Sequence, residues 1–173
     1  MLLDEAYIHF CDEPPGADLV RAGKDVVVLR TFSKIFGMAG LRAGFAIARK
    51  DLLARMTGWN TGAMPVTAMA AARAMLGEPE LIAARKRGNA ARRADLMQFF
   101  EAHGFAFTPS VSNNLMVDAR IPTTQVIEGL KKQGVWVGRP WPVWPTHVRV
   151  TIGSTEDMKR FKSAFLEVTS AAG

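Results

Sequence analysis

Apolar residues fall into short continuous runs near the start of the chain and into longer, helix-spaced stretches beyond residue 50. Leu2 and Leu3 lead into "DEAYIHF", which reads as the end of a buried strand, and then into a polar loop rich in Pro and Gly, "CDEPPGADLVRAGK". "DVVVLRT" (25–31) is a β-branched run bounded by polar residues. Such a run suits a strand buried on both faces of an α/β sheet. "AGFAIA" (43–48) predicts another strand, and 50–56 a short helix closed by Gly58.

Residues 65–76, "PVTAMAAARAML", predict a well-buried helix with Pro65 at its first helical position. A long helix follows, opened by Pro79 and closed by Gly104, with Gly88 marking a bend or close contact inside it. From Phe105 the pattern changes to short strands and helices. "FAFTP", "NNLMVDA", "VWVG" and "HVRVTIG" read as strands, and "TTQVIEGLKKQG" as a helix. A last helix is opened by Ser154, and Asp157 three residues on has capping-box spacing. The alternation describes a compact α/β or α+β domain, and the boundary is expected inside the long helix, near residues 85–95.

Composition narrows the picture further. The formal charge is +6, so nucleic acid must be weighed as a partner. The 22 Lys and Arg are spread along the chain, and the densest cluster, "ARKRGNAARR", has no interleaved aromatic residues. It reads as a solvated helix face, and no nucleic-acid partner is expected. The single cysteine, Cys11, excludes an intrachain disulfide framework, leaves no Cys-rich metal site and fits a reducing setting. No run of 18 apolar residues predicts a membrane span. The N-terminus, with acids at positions 4 and 5 and no basic segment, does not read as a signal peptide.

The chemistry concentrates in "TFSKIFGMAGLRAGF" (31–45). Taken singly, Lys34 is an ordinary surface lysine and Arg42 an ordinary structural arginine. Thr31 and Ser33 are common loop hydroxyls, and Asp4 and Tyr7 a turn cap and a packing ring. Together, a hydroxyl, a lysine three residues on and an arginine eight beyond can converge on a phosphate and an aldehyde. The hydroxyl and guanidinium hold the phosphate, the amine condenses with the aldehyde, and a nearby acid keeps a pyridine nitrogen protonated.

On "DEAY" followed by "VVVLRTFSKIFGMAGLRAGFAIA", the sequence resembles the fold-type I, pyridoxal-phosphate-dependent aminotransferases of class I and II, and within them histidinol-phosphate aminotransferase-like proteins. The resemblance implies an α/β fold, the C-terminal part of a PLP-dependent transferase. Residues 1–60 would be a partial large domain that binds the cofactor, 61–93 connecting helices, and 94–173 a small C-terminal domain. It implies that Lys34 bonds pyridoxal 5'-phosphate and later moves a proton, that Asp4 pairs with the pyridine nitrogen, and that Tyr7 meets the ring's phenolic oxygen. Thr31, Arg42 and, more weakly, Ser33 would bind the phosphate. Arg149 in "HVRVTIGS" would grip the substrate carboxylate, and Asn113 in "SNNLMVD" matches a family asparagine without a firm role. The implied reaction is amino-group transfer between an amino acid or amine and a 2-oxo acid, in a cytoplasmic homodimer, with no metal and no membrane partner.

Two departures stand out. Histidinol-phosphate enzymes carry an arginine where this chain has Gly138, with Arg139 one residue later. With Trp136, Trp141 and Trp144 in the same stretch, an aromatic or bulky apolar substrate side chain rivals an imidazole phosphate. The chain also reads as the second half of the family's length, an expectation under which the isolated 173 residues are a poor enzyme. Two alternatives accompany the aminotransferase reading: a PLP-dependent decarboxylase of a phospho-amino acid, and a catalytically incompetent fragment with an interaction role.

Overall fold

The computed structural model describes residues 1–59 and 62–170. The chain separates into two compact units, Met1–Lys86 and Arg87–Gly173. The expected 60/61 junction lies outside the described residues.

The first unit carries strands β1 (Leu2–Asp4), β2 (Val27–Thr31) and β3 (Gly44–Ile47), helices α1 (Ala17–Arg21), α2 (Lys50–Met56) and α3 (Val66–Leu76), and the start of α4 (Pro79–Ala102). Its sheet has the order β1-β2-β3, with β1 parallel to β2 and β3 antiparallel to it. The α/β reading holds. Val26 and Val28 are buried, as a β-branched run requires. A parallel pair needs a long crossover, and the Pro-Gly loop with α1 supplies it. Gly16 in that loop is closely approached: a Cβ there would lie 2.4 Å from Leu3 Cδ2 and 2.8 Å from Glu5 Oε1, so those side chains would have to move to admit one.

Two expectations fail in this unit. Helix α3 is not well buried; Ala68 and Ala72 are covered, but Val66 is 75% and Leu76 64% exposed. Its composition is apolar on every side, and within this unit only the alanine side meets a cluster of Phe10, Phe32, Ile35, Phe36 and Met38. Pro65 is its N-cap rather than its first helical residue. Helix α2 covers Lys50–Met56 as expected, and a 3-10 turn, Thr57–Trp59, follows it.

The second unit contains the rest of α4, strands β4 (Asn114–Asp118) and β5 (His147–Thr151), and helices α5 (Thr123–Lys132) and α6 (Thr155–Ser170). β4 and β5 are antiparallel, with Met116 opposite Arg149. Leu115, Val117, Val148 and Val150 point into a core with Leu96, Phe100, Phe161 and Phe165. Ser154 and Asp157 form the predicted capping box: the Ser154 N–H donates to Asp157 Oδ2 (2.9 Å) and the Asp157 N–H to Ser154 Oγ (3.1 Å). "VWVG" is not a strand. The Val135 N–H donates back to the Leu130 carbonyl (2.9 Å), Gly138 alone bonds to β5, through its N–H to the Arg149 carbonyl (3.0 Å), and Pro140 has no N–H to continue a ladder.

Candidate active site

The lysine loop is pinned at both ends by the β2–β3 pairing. Thr31 faces Gly44 across the ladder, and a Cβ at Gly44 would lie 2.8 Å from the Arg30 carbonyl, so this close pairing requires glycine. Both the Phe32 N–H (3.0 Å) and Thr31 Oγ1 (3.3 Å) donate to the Ala43 carbonyl. Thr31 Oγ1 also accepts the Ser33 N–H (3.0 Å). Thr31 is therefore engaged both as donor and as acceptor in shaping the turn. Ser33 Oγ makes no hydrogen bond among the described residues.

Lys34 is half-buried, and its Nζ sits over the Tyr7 ring, 4.9 Å from the centroid. Among the described residues no acid pairs with it and no carbonyl accepts from it. An ammonium over an aromatic face is held weakly, by about 1 kcal/mol. The amine stays available for chemistry. Tyr7 is placed by the turn after β1, where Asp4 Oδ1 accepts the Ala6 N–H (3.0 Å) and Phe10 N–H donates to the Tyr7 carbonyl (3.0 Å). Asp4 is opposite Leu29 in the parallel register, at the same end of the sheet as the lysine loop.

Arg42 is one of two non-glycine residues described with positive φ (56°), and it donates to the Ala39 carbonyl (2.6 Å). A side chain held in the left-handed region carries strain that a functional placement can justify. No hydrogen bond or ion pair joins Lys34 to Asp4, Ser33 or Arg42 among the described residues. What the fold brings together directly is Lys34 with Tyr7, and Thr31 with Ser33.

An unpredicted pair underlies this arrangement. Glu5, 6% exposed, takes Arg30 Nε (2.9 Å) and Nη2 (2.8 Å) on one oxygen and the Gly16 N–H on the other. It joins the end of β1 to β2 and the crossover loop, one residue past Asp4. The signal was present in "VVVLRT": an arginine inside an apolar strand needs a buried acid. His9 nearby has its pKa lowered below 6.5 by burial first and by Arg30 next, against a raising effect of Glu5.

Arg149 belongs to the second unit. Its guanidinium has no hydrogen bond or ion pair among the described residues, and its Nε is buried without a partner, as are Trp141 Nε1 and Asn113 Oδ1. Among the described residues no helix is long and apolar enough to cross a membrane, and no cluster of His, Cys, Asp and Glu could hold a metal ion.

A family profile described as aminotransferase class I and II matches residues 1–165. A histidinol-phosphate aminotransferase of Symbiobacterium thermophilum is 36% identical over 169 residues, covering 95% of this chain and 46% of its own. A structure from Erwinia carotovora atroseptica, provisionally named a histidinol-phosphate aminotransferase, superposes with a TM-score of 0.93 at 26% identity, covering 99% of this chain and 51% of that one. The Sinorhizobium meliloti histidinol-phosphate aminotransferase in complex with pyridoxal-5'-phosphate gives 0.85 at 22% identity, with 99% and 49% covered, and speaks for the fold alone. The chain spans about half the length of the curated relatives it matches. Across nearly its full extent, this chain belongs to the class I and II aminotransferases.

Proposed function

We propose that this chain supplies the lysine side of a pyridoxal 5'-phosphate site for transfer of an amino group between an amino acid or amine and a 2-oxo acid. The observation that carries the reading is the unpaired Lys34 amine over the Tyr7 ring, in a loop closed by Thr31 and Ala43. The donor set fits the cofactor. Among the described residues Lys34 offers an amine without a competing acid, Ser33 a hydroxyl without a partner, Arg42 a cation, and Asp4 an acid that makes no second hydrogen bond.

In this reading Lys34 bonds the cofactor aldehyde and carries the proton that leaves and returns at the substrate carbon. Asp4 keeps the pyridine nitrogen protonated, and the Tyr7 hydroxyl donates to the ring's phenolic oxygen. Ser33 and Arg42 bind the phosphate, while Thr31 holds the turn that presents them. Arg149 grips the substrate carboxylate with a bidentate fork. When bound, the cofactor supplies an electron sink that lowers the cost of removing that proton.

Incubation with pyridoxal 5'-phosphate, borohydride reduction and peptide mapping tests this directly. The label is expected on Lys34 and absent from Lys34→Ala. A label on Lys24 or Lys50 in place of Lys34 sinks the reading. Release of carbon dioxide from an amino acid, without amino transfer to a 2-oxo acid, would turn it towards decarboxylation.

A further inference from the structure

We propose that Trp141 is the positioning residue for Arg149, and that Gly138 makes the space this requires. The inference rests on the carboxylate role given to Arg149 above and adds what holds that side chain in place. An arginine has many rotamers, and a polar partner ordinarily selects one. Here no carboxylate or carbonyl does so among the described residues, yet Nε is fully buried.

Two contacts enclose it. The Arg149 Cζ lies 5.9 Å from the Trp141 ring centroid, at the edge of cation–π range. On the Nε side the chain presents Gly138, where a Cβ would sit 3.0 Å from Arg149 Cβ, 3.1 Å from the Arg149 carbonyl oxygen and 3.3 Å from Nε. A side chain at 138 would push the arginine stem and the strand beneath it by a few tenths of an ångström. Gly138 and Trp141 thus bury the stem and Nε, and leave the terminal amino groups without a hydrogen-bond or ion-pair partner among the described residues.

Trp141 is itself held from both directions. The Arg139 guanidinium stacks on the same ring at 4.6 Å, so that cation already occupies part of the indole's π surface. The turn that carries the ring is closed by the Trp144 N–H donating to the Trp141 carbonyl (2.9 Å). Trp144 stacks on His147, two residues before Arg149 in β5, with ring centroids 5.4 Å apart. The turn and the strand bearing the arginine are therefore one tied assembly. A guanidinium held in advance binds a carboxylate more tightly than one that must first be ordered.

Nitrogen-15 NMR of the arginine Nε–H groups, with acetate as the probe, decides the matter. The Arg149 signal is assigned by its loss in Arg149→Lys. In the unaltered chain it should exchange slowly and shift on acetate titration. Trp141→Leu, which keeps apolar volume but no π face, should lose the slow exchange and weaken acetate about tenfold, the loss of a desolvated cation–π contact. Trp141→Phe should restore most of both, and Gly138→Ala should mimic the loss with the core spectrum unchanged. Slow exchange and unchanged acetate affinity in both Trp141→Leu and Gly138→Ala would overturn the proposal. Should Trp141→Leu not fold, Gly138→Ala and Trp141→Phe carry the same decision. An acetate affinity unmoved by Arg149→Lys would fault the carboxylate role alone, and Nε–H exchange would still judge the positioning.

Discussion

The two units of the chain solve the burial problem to different degrees. In Arg87–Gly173, one face of β4–β5 and the apolar sides of α4, α5 and α6 enclose a continuous core in which Leu96, Phe100, Val117, Val148 and Phe165 are fully covered. In Met1–Lys86 the covered cluster is smaller, and Val66, Met69 and Leu76 of α3 face outward. The unit with the lysine loop relies more on a polar device, the Glu5–Arg30 pair with its bond to Gly16. Apolar closure is spread over many side chains, whereas a buried ion pair rests on two, and removing either leaves an uncompensated buried charge.

Mutations can break that contrast in order of size. Phe100→Ala should cost the second unit about 4 kcal/mol, because its ring contacts Phe105, Phe107, Phe161 and Phe165 together. Denaturant midpoints read this, and a loss below 1 kcal/mol would show the core to be looser than described. Glu5→Ala should cost the first unit about 3 kcal/mol, since it strands Arg30. Hydrogen exchange should then accelerate at Val27–Thr31 and leave β4 and β5 unchanged. Ser154→Ala should cost about 1 kcal/mol through the lost cap, seen as fraying of α6 by amide exchange.

The smallest effect is in pH. His9 binds its proton less readily folded than unfolded, so the unfolded state holds more protons just below pH 6.5. Stability of the first unit should fall as pH drops below that value, and His9→Gln should flatten the slope. Asp157 behaves oppositely in range: hydrogen bonds from the Ser154 N–H and hydroxyl lower its pKa below 3.8. Its contribution is present above that value and is lost only in stronger acid. A midpoint-versus-pH curve for each unit, followed by residue-resolved exchange, separates the two.

Local chemistry was legible in the sequence. The "VVVL" run, Pro79 at the start of α4 and the Ser154–Asp157 spacing each carry their cause within a few residues, and the structure places elements there. Expectations failed where the cause is distant. "VWVG" has strand-like residues, but a strand needs a partner, and β5 offers Gly138 one bond. The alanine-rich α3 announces a helix without announcing what covers it. At the candidate site, Lys34 stood out through its glycine-broken loop and its family likeness. The engagement of Thr31, which leaves Ser33 the freer hydroxyl, depends on Ala43 approaching from twelve residues away. No short-range pattern contains that.

The segment "PWPVWP" that bears Trp141 has one further consequence. Proline restricts φ in the unfolded ensemble as well as in the folded one, so Pro140, Pro142 and Pro145 leave this turn fewer alternatives to give up. Ordering it subtracts less chain entropy than six ordinary residues would. On warming, the surroundings of Arg149 should therefore persist until the second unit melts as a whole, with no earlier loosening of the turn.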